Sequence, residues 1–373
     1  MWRDRREKDC MRVGMVSKFH AADGLCVRAS YVARGLMDRG HEVYAFTQSP
    51  DVQVIPPERV HRFRAVQLNP HFSLDVPSVP RLIAERSQEL GIEIIHVQMN
   101  SGSTEAILPF FKNHLPPLVV TFHLAYAAGP ALYRTVFRIA WDLSIYAAKH
   151  YDQIVLVDPS QKRYFIRYGV PSERLTVIRN GVDTQLFRPP KKQPDDGIVD
   201  FVFVGRLSLD KGVDVLLDAF RKYHHENPNT RLTLVGDGIL KWMIENGNDN
   251  NGSIHWLGTI PHDQVPAILQ KSDVFVIPQN IGGLGLSVLE AMSCGLPVIT
   301  TAIGETTRLL GDNEGVLVQP NDVDAVVDAM RFLAENDSTR LRMGERCRQK
   351  VERHYSWNVQ LELLEGVYAR ACS

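Results

Sequence analysis

No stretch of this 373-residue sequence is apolar for the length that a membrane-spanning helix needs. The region from Ile107 to Ala148 is rich in apolar residues, but Lys112, the Pro116-Pro117 pair, Pro130 and Arg134 interrupt it. Cysteine is scarce. Cys10, Cys26, Cys294, Cys347 and Cys372 are odd in number, widely spaced and free of any C-x-x-C, which argues against a disulfide framework or zinc site and for a reducing compartment. The histidines form no H-E-x-x-H or comparable cluster. Asp322-x-Asp324 has the form of a metal-binding pair. It follows Pro320-Asn321 at a helix start, where acids are ordinary first-turn residues, so no metal is expected. Overall charge is nearly absent too, at −1, and nucleic acid is not an expected partner. That balance hides a split. Residues 1–190 carry 24 Lys and Arg against 18 Asp and Glu, whereas residues 191–373 carry 18 against 25. A basic first half suits an anionic partner, a membrane surface or an acidic acceptor; ordinary scatter of surface charge explains it equally well. No signal peptide is recognisable before Met11, and residues 1–10 read as a charged, disordered tail. The expected location is the cytoplasm, with peripheral contact to the inner face of the membrane as a further possibility.

What is present is a soluble globular composition, 44% hydrophobic and 23% charged, in a chain long enough for two domains. Short apolar strands alternate with helical patterns. Strands are expected at Arg12–Val16, Glu42–Phe46, Val60–Val66, Ile92–Val97, Leu118–Phe122, Gln153–Val157 and Thr176–Ile178, with helices at Val27–Arg39, Arg81–Leu90 and Gln161–Tyr168. After a linker-like R-P-P-K-K-Q-P-D-D-G the pattern restarts. Strands follow at Asp200–Val204, Arg231–Val235, Ile254–Leu257, Val274–Ile277, Pro297–Thr300 and Val316–Val318. Helices are expected at Gly212–Tyr223, Asp263–Gln270, Leu284–Ser293 and Val323–Ala334. Continuous apolar strands with helices between them mean parallel sheets covered on both faces. The expected fold class is α/β, two Rossmann-like domains facing across a cleft, over 11–190 and 191–355. A last helix over 356–373, capped by Ser356 and led by Trp357, would cross back to the first domain.

Two stretches carry most of the chemistry. V-F-V-G-R-L-S-L-D-K-G, from Val202 to Gly212, ends a strand on Gly205-Arg206 and sets Lys211 at the start of a helical pattern. A cation in a first helical turn opposes the macrodipole, at a cost of about a few tenths of a kcal/mol, and a bound anion explains it more easily. Neither cation has an evident partner within the chain. G-G-L-G-L-S-V-L-E-A-M-S-C-G begins at Gly282; its loop Gly283-Leu284-Gly285-Leu286 opens a helix whose one carboxylate is Glu290. Two cations and the N–H groups of such a loop suit a diphosphate, and a carboxylate suits a sugar hydroxyl. The combination points to a nucleotide-sugar site at strand carboxyl ends, where Arg206, Gly236 and Gly282 fall. Taken singly, glycine turns before helices are commonplace and weak signals. His123 ends the strand L-V-V-T-F-H, where a chemical and a structural role are about equally supported. Gly24, in the loop after the first strand, would let a ligand approach the backbone. Asn180-Gly181-Val182-Asp183 is turn chemistry suited to an interdomain crossover.

In their order and spacing these residues resemble the retaining family 4 glycosyltransferases of the GT-B fold. The carriers are R-G-L-M-D-R-G-H-E-V-Y, T-F-H at His123, V-I-R-N-G-V-D-T-Q-L-F-R-P, F-V-G-R-L-S-L-D-K-G-V-D-V-L-L-D-A-F, L-V-G-D-G, G-L-G-L-S-V-L-E-A-M-S-C-G-L-P-V-I and the closing Y-S-W helix. They cover nearly the whole chain after Met11. The resemblance implies transfer of a hexose from a UDP- or GDP-hexose to a lipid-linked or saccharide acceptor, with retention and without metal or other cofactor. It implies an acceptor domain followed by a donor domain. Arg206 and Lys211 would hold the diphosphate, Glu290 the donor ribose, Gly24 would lie beside the phosphates and His123 beside the transferred sugar. The family usually has a glutamate eight positions before Glu290, where this chain has Gly282. Arg308 stands about where the following loop often carries another. Two other readings remain: an epimerase or phosphorylase on the same fold, and a nucleotide-sugar-binding regulatory protein without catalysis, which Gly282 favours. The segment Tyr133-Arg134-Thr135-Val136-Phe137-Arg138 suits an anionic membrane surface, and slightly better a helix packed on its own sheet with its arginines solvated.

Overall fold

A computed structural model describes residues 10–19, 24–67, 73–99, 103–123, 142–190, 197–245, 247, 252–281, 285–311 and 313–373. The tail over 1–9, the segment Tyr133–Arg138, Gly282 and Gly283 lie outside them. The chain divides into two compact units, Met1–Asn180 with Trp357–Ser373, and Gly181–Ser356.

The first unit is built on a parallel sheet of seven strands. In chain order these are β1 (Arg12–Val16), β2 (Glu42–Thr47), β3 (Val60–Arg62), β6 (Ile94–Met99), β7 (Leu118–Phe122), β8 (Gln153–Leu156) and β9 (Leu175–Val177). They lie side by side as β3-β2-β1-β6-β7-β8-β9, so the order reverses between β1 and β6. The stretch Val60–Val66, expected as one strand, is broken. Its second half is β4 (Ala65–Gln67), which pairs antiparallel with β5 (Ser73–Asp75) outside the main sheet. The break follows from exposure: Val66 is 63% exposed and has no core to face.

Strands such as β6 and β7 are buried along their whole length, which is what helices on both faces require. One face is covered by Val79–Leu90, which buries Val79, Ile83 and Ala84. The other is covered by Gly24–Asp38 and by the last helix, Trp357–Cys372. That last helix buries Trp357, Leu361, Leu364, Val367 and Tyr368 at helical spacing, and each large apolar side chain contributes roughly 1.5–3 kcal/mol. The chain leaves the unit after Asn180 and returns at Trp357. Just beyond those points Val182 N–H donates to the Tyr355 carbonyl at 2.8 Å, and Val182 bridges Ser356.

The second unit repeats the plan with β10 (Val199–Val204), β11 (Thr230–Val235), β12 (Ile254–Trp256), β13 (Val274–Ile277), β14 (Val298–Thr301) and β15 (Gly315–Val318). Their order is β12-β11-β10-β13-β14-β15, all parallel, with the reversal between β10 and β13. A helix absent from the sequence expectation, Asp337–His354, packs here through the stripe Met343, Cys347 and Val351.

Candidate functional site

In the second unit, the loops that follow β10 and β13 flank the reversal point, where ligands of doubly wound sheets bind. The two loops are tied together. Asn280 N–H and Ile281 N–H donate to the Asp210 carbonyl at 2.9 and 3.3 Å, and Asn280 Nδ2 donates to the Leu209 carbonyl at 3.1 Å. Gly212 sets how closely they approach. Its φ is +67°, and a Cβ there would sit 1.9 Å from the Pro278 carbonyl oxygen. The strand-end loop carrying Arg206 and Lys211 is thus held to residues 278–281, the described start of the loop after β13.

Lys211 corrects one sequence argument. It does not stand in the first turn of the long helix, but closes a short 3-10 turn, Leu209–Lys211. Gly212 then caps Val213–Glu226. The macrodipole therefore gives no reason for an anion. Burial gives one instead: it lowers the Lys211 pKa, with Asp210 opposing and Arg206 adding, and an anion would relieve that cost. Nor are the cations without partners. Lys211 Nζ donates to Gln279 Oε1 at 3.3 Å, a neutral contact, and Arg206 meets Asp210 at 3.1 Å. The Arg206 side chain is 67% exposed, so that ion pair is weak and exchangeable.

Glu290 sits in the helix Leu286–Ser293 and is buried. Its Oε1 accepts from His262 Nε2 at 2.8 Å, and this bond raises the histidine pKa against the opposing effect of burial. Burial and the same carboxylate push the Cys294 thiol up to about 12, so that cysteine is inert. Gly285 is the N-cap of the Glu290 helix, and Leu286, half-buried, is its first residue. Among the described residues, a Cβ at Gly285 would meet only Ser287 Oγ, at 3.8 Å. Gly236 has a packing reason of its own: φ is +128°, and a Cβ would fall 1.9 Å from the Gly205 carbonyl oxygen. Glu305, which sequence reading missed, is buried after β14 and pairs with Arg308 at 2.9 Å. Asp322 accepts from Ala325 N–H as a helix N-cap, while Asp324 takes Lys222, so the two do not converge. Among the described residues there is no group of three His, Cys, Asp or Glu that would hold a metal ion.

In the first unit Gly24 opens the helix after β1, at the strand-order reversal. His123 directly follows β7, and its Nε2 meets Gln98 Oε1 at 2.7 Å. Because an amide oxygen only accepts, Nε2 carries the proton. Gln98 Nε2 in turn donates to His96 Nε2 at 3.2 Å. Thr121 Oγ1 lies 2.7 Å from the same nitrogen and the Tyr368 hydroxyl 2.7 Å from His96 Nδ1. This line runs from the last helix to His123. Burial and then Arg28 lower the His96 pKa to about 3; burial, Arg28 and His96 hold His123 well below its ordinary value. Both imidazoles are neutral. Arg28, also unforeseen, is buried and donates to the carbonyls of Arg179 and Ile178 and to Asn180 Oδ1. It fixes the crossover at which the chain leaves the unit.

Comparison with known proteins agrees with this architecture. Residues 22–186 match the family model "Glycosyltransferase Family 4", and residues 185–350 match "Glycosyl transferases group 1". A glycogen synthase of Mycobacterium tuberculosis is 27% identical over 208 residues, covering 55% of this chain and 50% of that protein. This chain spans about half the length of the first curated relatives it matches. The phosphatidyl-myo-inositol mannosyltransferase of Mycolicibacterium smegmatis is 26% identical, over 96% of this chain and 93% of its own. Among solved structures, sucrose-phosphate synthase from Thermosynechococcus elongatus superimposes with a TM-score of 0.74 at 20% identity, covering 96% and 98% of the two chains. Anabaena HepE in complex with UDP and glucose gives 0.72 at 17%, covering 96% and 99%.

Proposed function

We propose that this chain, a GT-B-fold protein related to the glycosyltransferases of group 1 and family 4, moves a hexose from a nucleotide diphosphate sugar to a lipid-linked or saccharide acceptor with retention. The observation that carries the reading is the locked pair of loops in the second unit. The first loop carries a half-buried ammonium, Lys211, and the helix that follows the second has a glycine N-cap, Gly285, and a buried carboxylate, Glu290. In this reading the diphosphate lies against Lys211, Arg206 and the N–H groups at the start of the Leu286–Ser293 helix. Glu290 Oε1 is held by His262, which leaves its second oxygen for a ribose hydroxyl. UDP is the favoured nucleotide, because the HepE structure holds it.

The transfer breaks the bond between the anomeric carbon and the diphosphate oxygen. The acceptor oxygen then bonds to the same face of that carbon, and the acceptor proton leaves with the diphosphate. Negative charge grows on the leaving group as the bond breaks. A cation about 4 Å away contributes on the order of 4 kcal/mol at an effective dielectric of about 20, so Lys211 and Arg206 take the place of a metal. His123, neutral and donating through Nε2 to Gln98, has Nδ1 as its remaining polar atom for the transferred sugar. The acceptor reading draws support from relatives named for lipid acceptors, such as the mannosyltransferase above. No described helix is long and apolar enough to cross a membrane, and peripheral contact at the cytoplasmic face remains part of the proposal.

A thermal-shift screen of the purified chain against UDP-, GDP- and ADP-sugars tests the reading, since a ligand that binds only the native state raises the melting temperature. A shift with one nucleotide family, followed by turnover of that donor, is expected. No shift with any of the three sinks the assignment.

A further inference from the structure

His96 and Gln98 lie two apart on β6 and so face the same side of the sheet, and His123 directly follows the neighbouring strand β7. Gln98 is buried and makes a bond at each end of its amide: Oε1 accepts from His123 Nε2 at 2.7 Å, and Nε2 donates to His96 Nε2 at 3.2 Å. His96 holds the amide this way round. Its Nε2 also meets the Thr121 hydroxyl at 2.7 Å, while its Nδ1 meets the Tyr368 hydroxyl at 2.7 Å. Two neighbours can donate at Nε2 and one at Nδ1, so the neutral ring keeps its proton on Nδ1 and gives it to Tyr368. A reversed amide would set its carbonyl oxygen against the bare Nε2, acceptor against acceptor. The two histidines therefore hold opposite tautomers, His96 protonated on Nδ1 and His123 on Nε2. His123 Nδ1 is left as a lone pair with no partner among the described residues.

We propose that Gln98 is a positioning residue that fixes His123 in this tautomer, so that His123 meets the transferred sugar as a hydrogen-bond acceptor and never as a donor. The group it reads is then a free hydroxyl, which supplies the proton; an ether or carbonyl oxygen at the same place has none to give. A site built to hydrogen-bond a hydroxyl rejects the analogue that lacks it, because its own polar atom is left unpaired. A side-chain amide suits the task, since it offers an acceptor and a donor in fixed places. Glutamate at position 98 would also accept from His123, but its charge would favour the imidazolium, whose Nδ1–H donates. The native surroundings act the other way. Burial, Arg28 from the Gly24–Asp38 helix and His96 all disfavour a charge on His123. The tautomer is a property of the first unit alone; that a sugar lies at Nδ1 rests on the function proposed above.

The test has a spectroscopic arm and a kinetic arm, both on the full chain. Nitrogen-15 NMR of histidine-labelled protein reads the tautomer of each ring, with the His123 signals assigned by their loss in His123→Gln. The parent should show His123 protonated on Nε2 alone, and the near-isosteric Gln98→Met should show a mixture of both tautomers. His123 protonated on Nδ1, or a mixture already in the parent, would overturn the proposal. In the kinetic arm, Gln98→Met should lower kcat/KM for the active nucleotide sugar at least about threefold, with the Kd for its nucleoside diphosphate within about twofold. The ratio of Gln98→Glu to parent activity should fall as pH drops from 8 to 5.5, because the variant's His123 takes up a proton, and recover as pH rises. If Gln98→Glu does not fold, Gln98→Met carries the comparison. Kinetics equal to the parent's in every folded variant would also overturn the positioning role. If the tautomers are as stated and the parent turns over no UDP-, GDP- or ADP-sugar, the fixed tautomer stands and the glycosyltransferase reading falls.

Discussion

Replacing Gly212 with alanine separates a geometrical role from a generic preference for glycine. Two costs add at this position. An L-residue in the left-handed region costs about 1–2 kcal/mol, and φ here is +67°. The new Cβ would also lie 1.9 Å from the Pro278 oxygen, a backbone atom that cannot swing aside. Overpacking of a tight site adds about 1–3 kcal/mol, so the total is roughly 2–5 kcal/mol. Gly258 is a matched control in the same unit, with φ at +66° and, among the described residues, nothing within 4 Å of where an alanine methyl would stand, so Gly258→Ala bears the first cost alone. For a unit of this size 1 kcal/mol moves the melting temperature by about 2–4 °C. Gly212→Ala should therefore melt several degrees below Gly258→Ala, and relief of the clash should part the loops that carry Lys211 and Gln279. The assays are differential scanning calorimetry and UDP titration on both variants. Equal melting temperatures together with equal UDP affinities would refute the claim that this contact builds the site.

Lys211→Ala and Arg206→Ala should each weaken binding of the diphosphate sugar at least about tenfold, with unchanged circular dichroism; normal donor kinetics in both would remove the site assignment. Donor affinity should fall as pH rises through the lowered Lys211 pKa, because only the ammonium form attracts the diphosphate; a flat profile up to pH 10, about the ordinary lysine range, counts against it. His262 has a raised folded pKa, so its bond to Glu290 contributes stability that is complete below about 6.5 and is lost as pH rises through the folded value. The melting-temperature gap between parent and His262→Gln should accordingly shrink between pH 5.5 and pH 8, and a gap that widens would contradict the pairing. Tyr368→Phe removes the partner of His96 Nδ1 and should destabilise the first unit by about 1–3 kcal/mol, with turnover reduced through looser placement of His123. Turnover equal to the parent's would confine that line of bonds to a structural role.

Much of the strand framework is legible from the chain alone. Leu118–Phe122, apolar except for Thr121, and Val274–Ile277, wholly apolar, are bounded by polar or turn residues, and both appear as strands with those limits. Such runs suit a sheet buried on both faces. The helix Asp337–His354 is hidden because most of its residues are charged or polar and only one narrow stripe is buried. β4 and β5 escape notice for a related reason, since a small exposed ribbon needs no apolar alternation. At the site, residue types and strand-end positions could be read, but partners could not. Lys211 and Gln279 are 68 positions apart and His262 and Glu290 are 28 apart; sheet order brings each pair together, and nothing local encodes it. Arg28 and His96 read as ordinary residues of a helix and a strand until their burial is known.

The return of the chain at Trp357 has a consequence for biogenesis. Translation runs from one end, yet the first unit cannot close its core until Leu361, Leu364 and Val367 have been made. The second unit, continuous from Gly181 to Ser356, is complete before then. The usual order of synthesis-coupled folding, N-terminal domain first, is thereby inverted. Until the last helix has been made, parts of β6, β7 and β8 and the inner side of the Gly24–Asp38 helix stand uncovered, a surface for chaperones to hold. A premature stop in that helix would therefore damage the first unit, whose strands are made before the second.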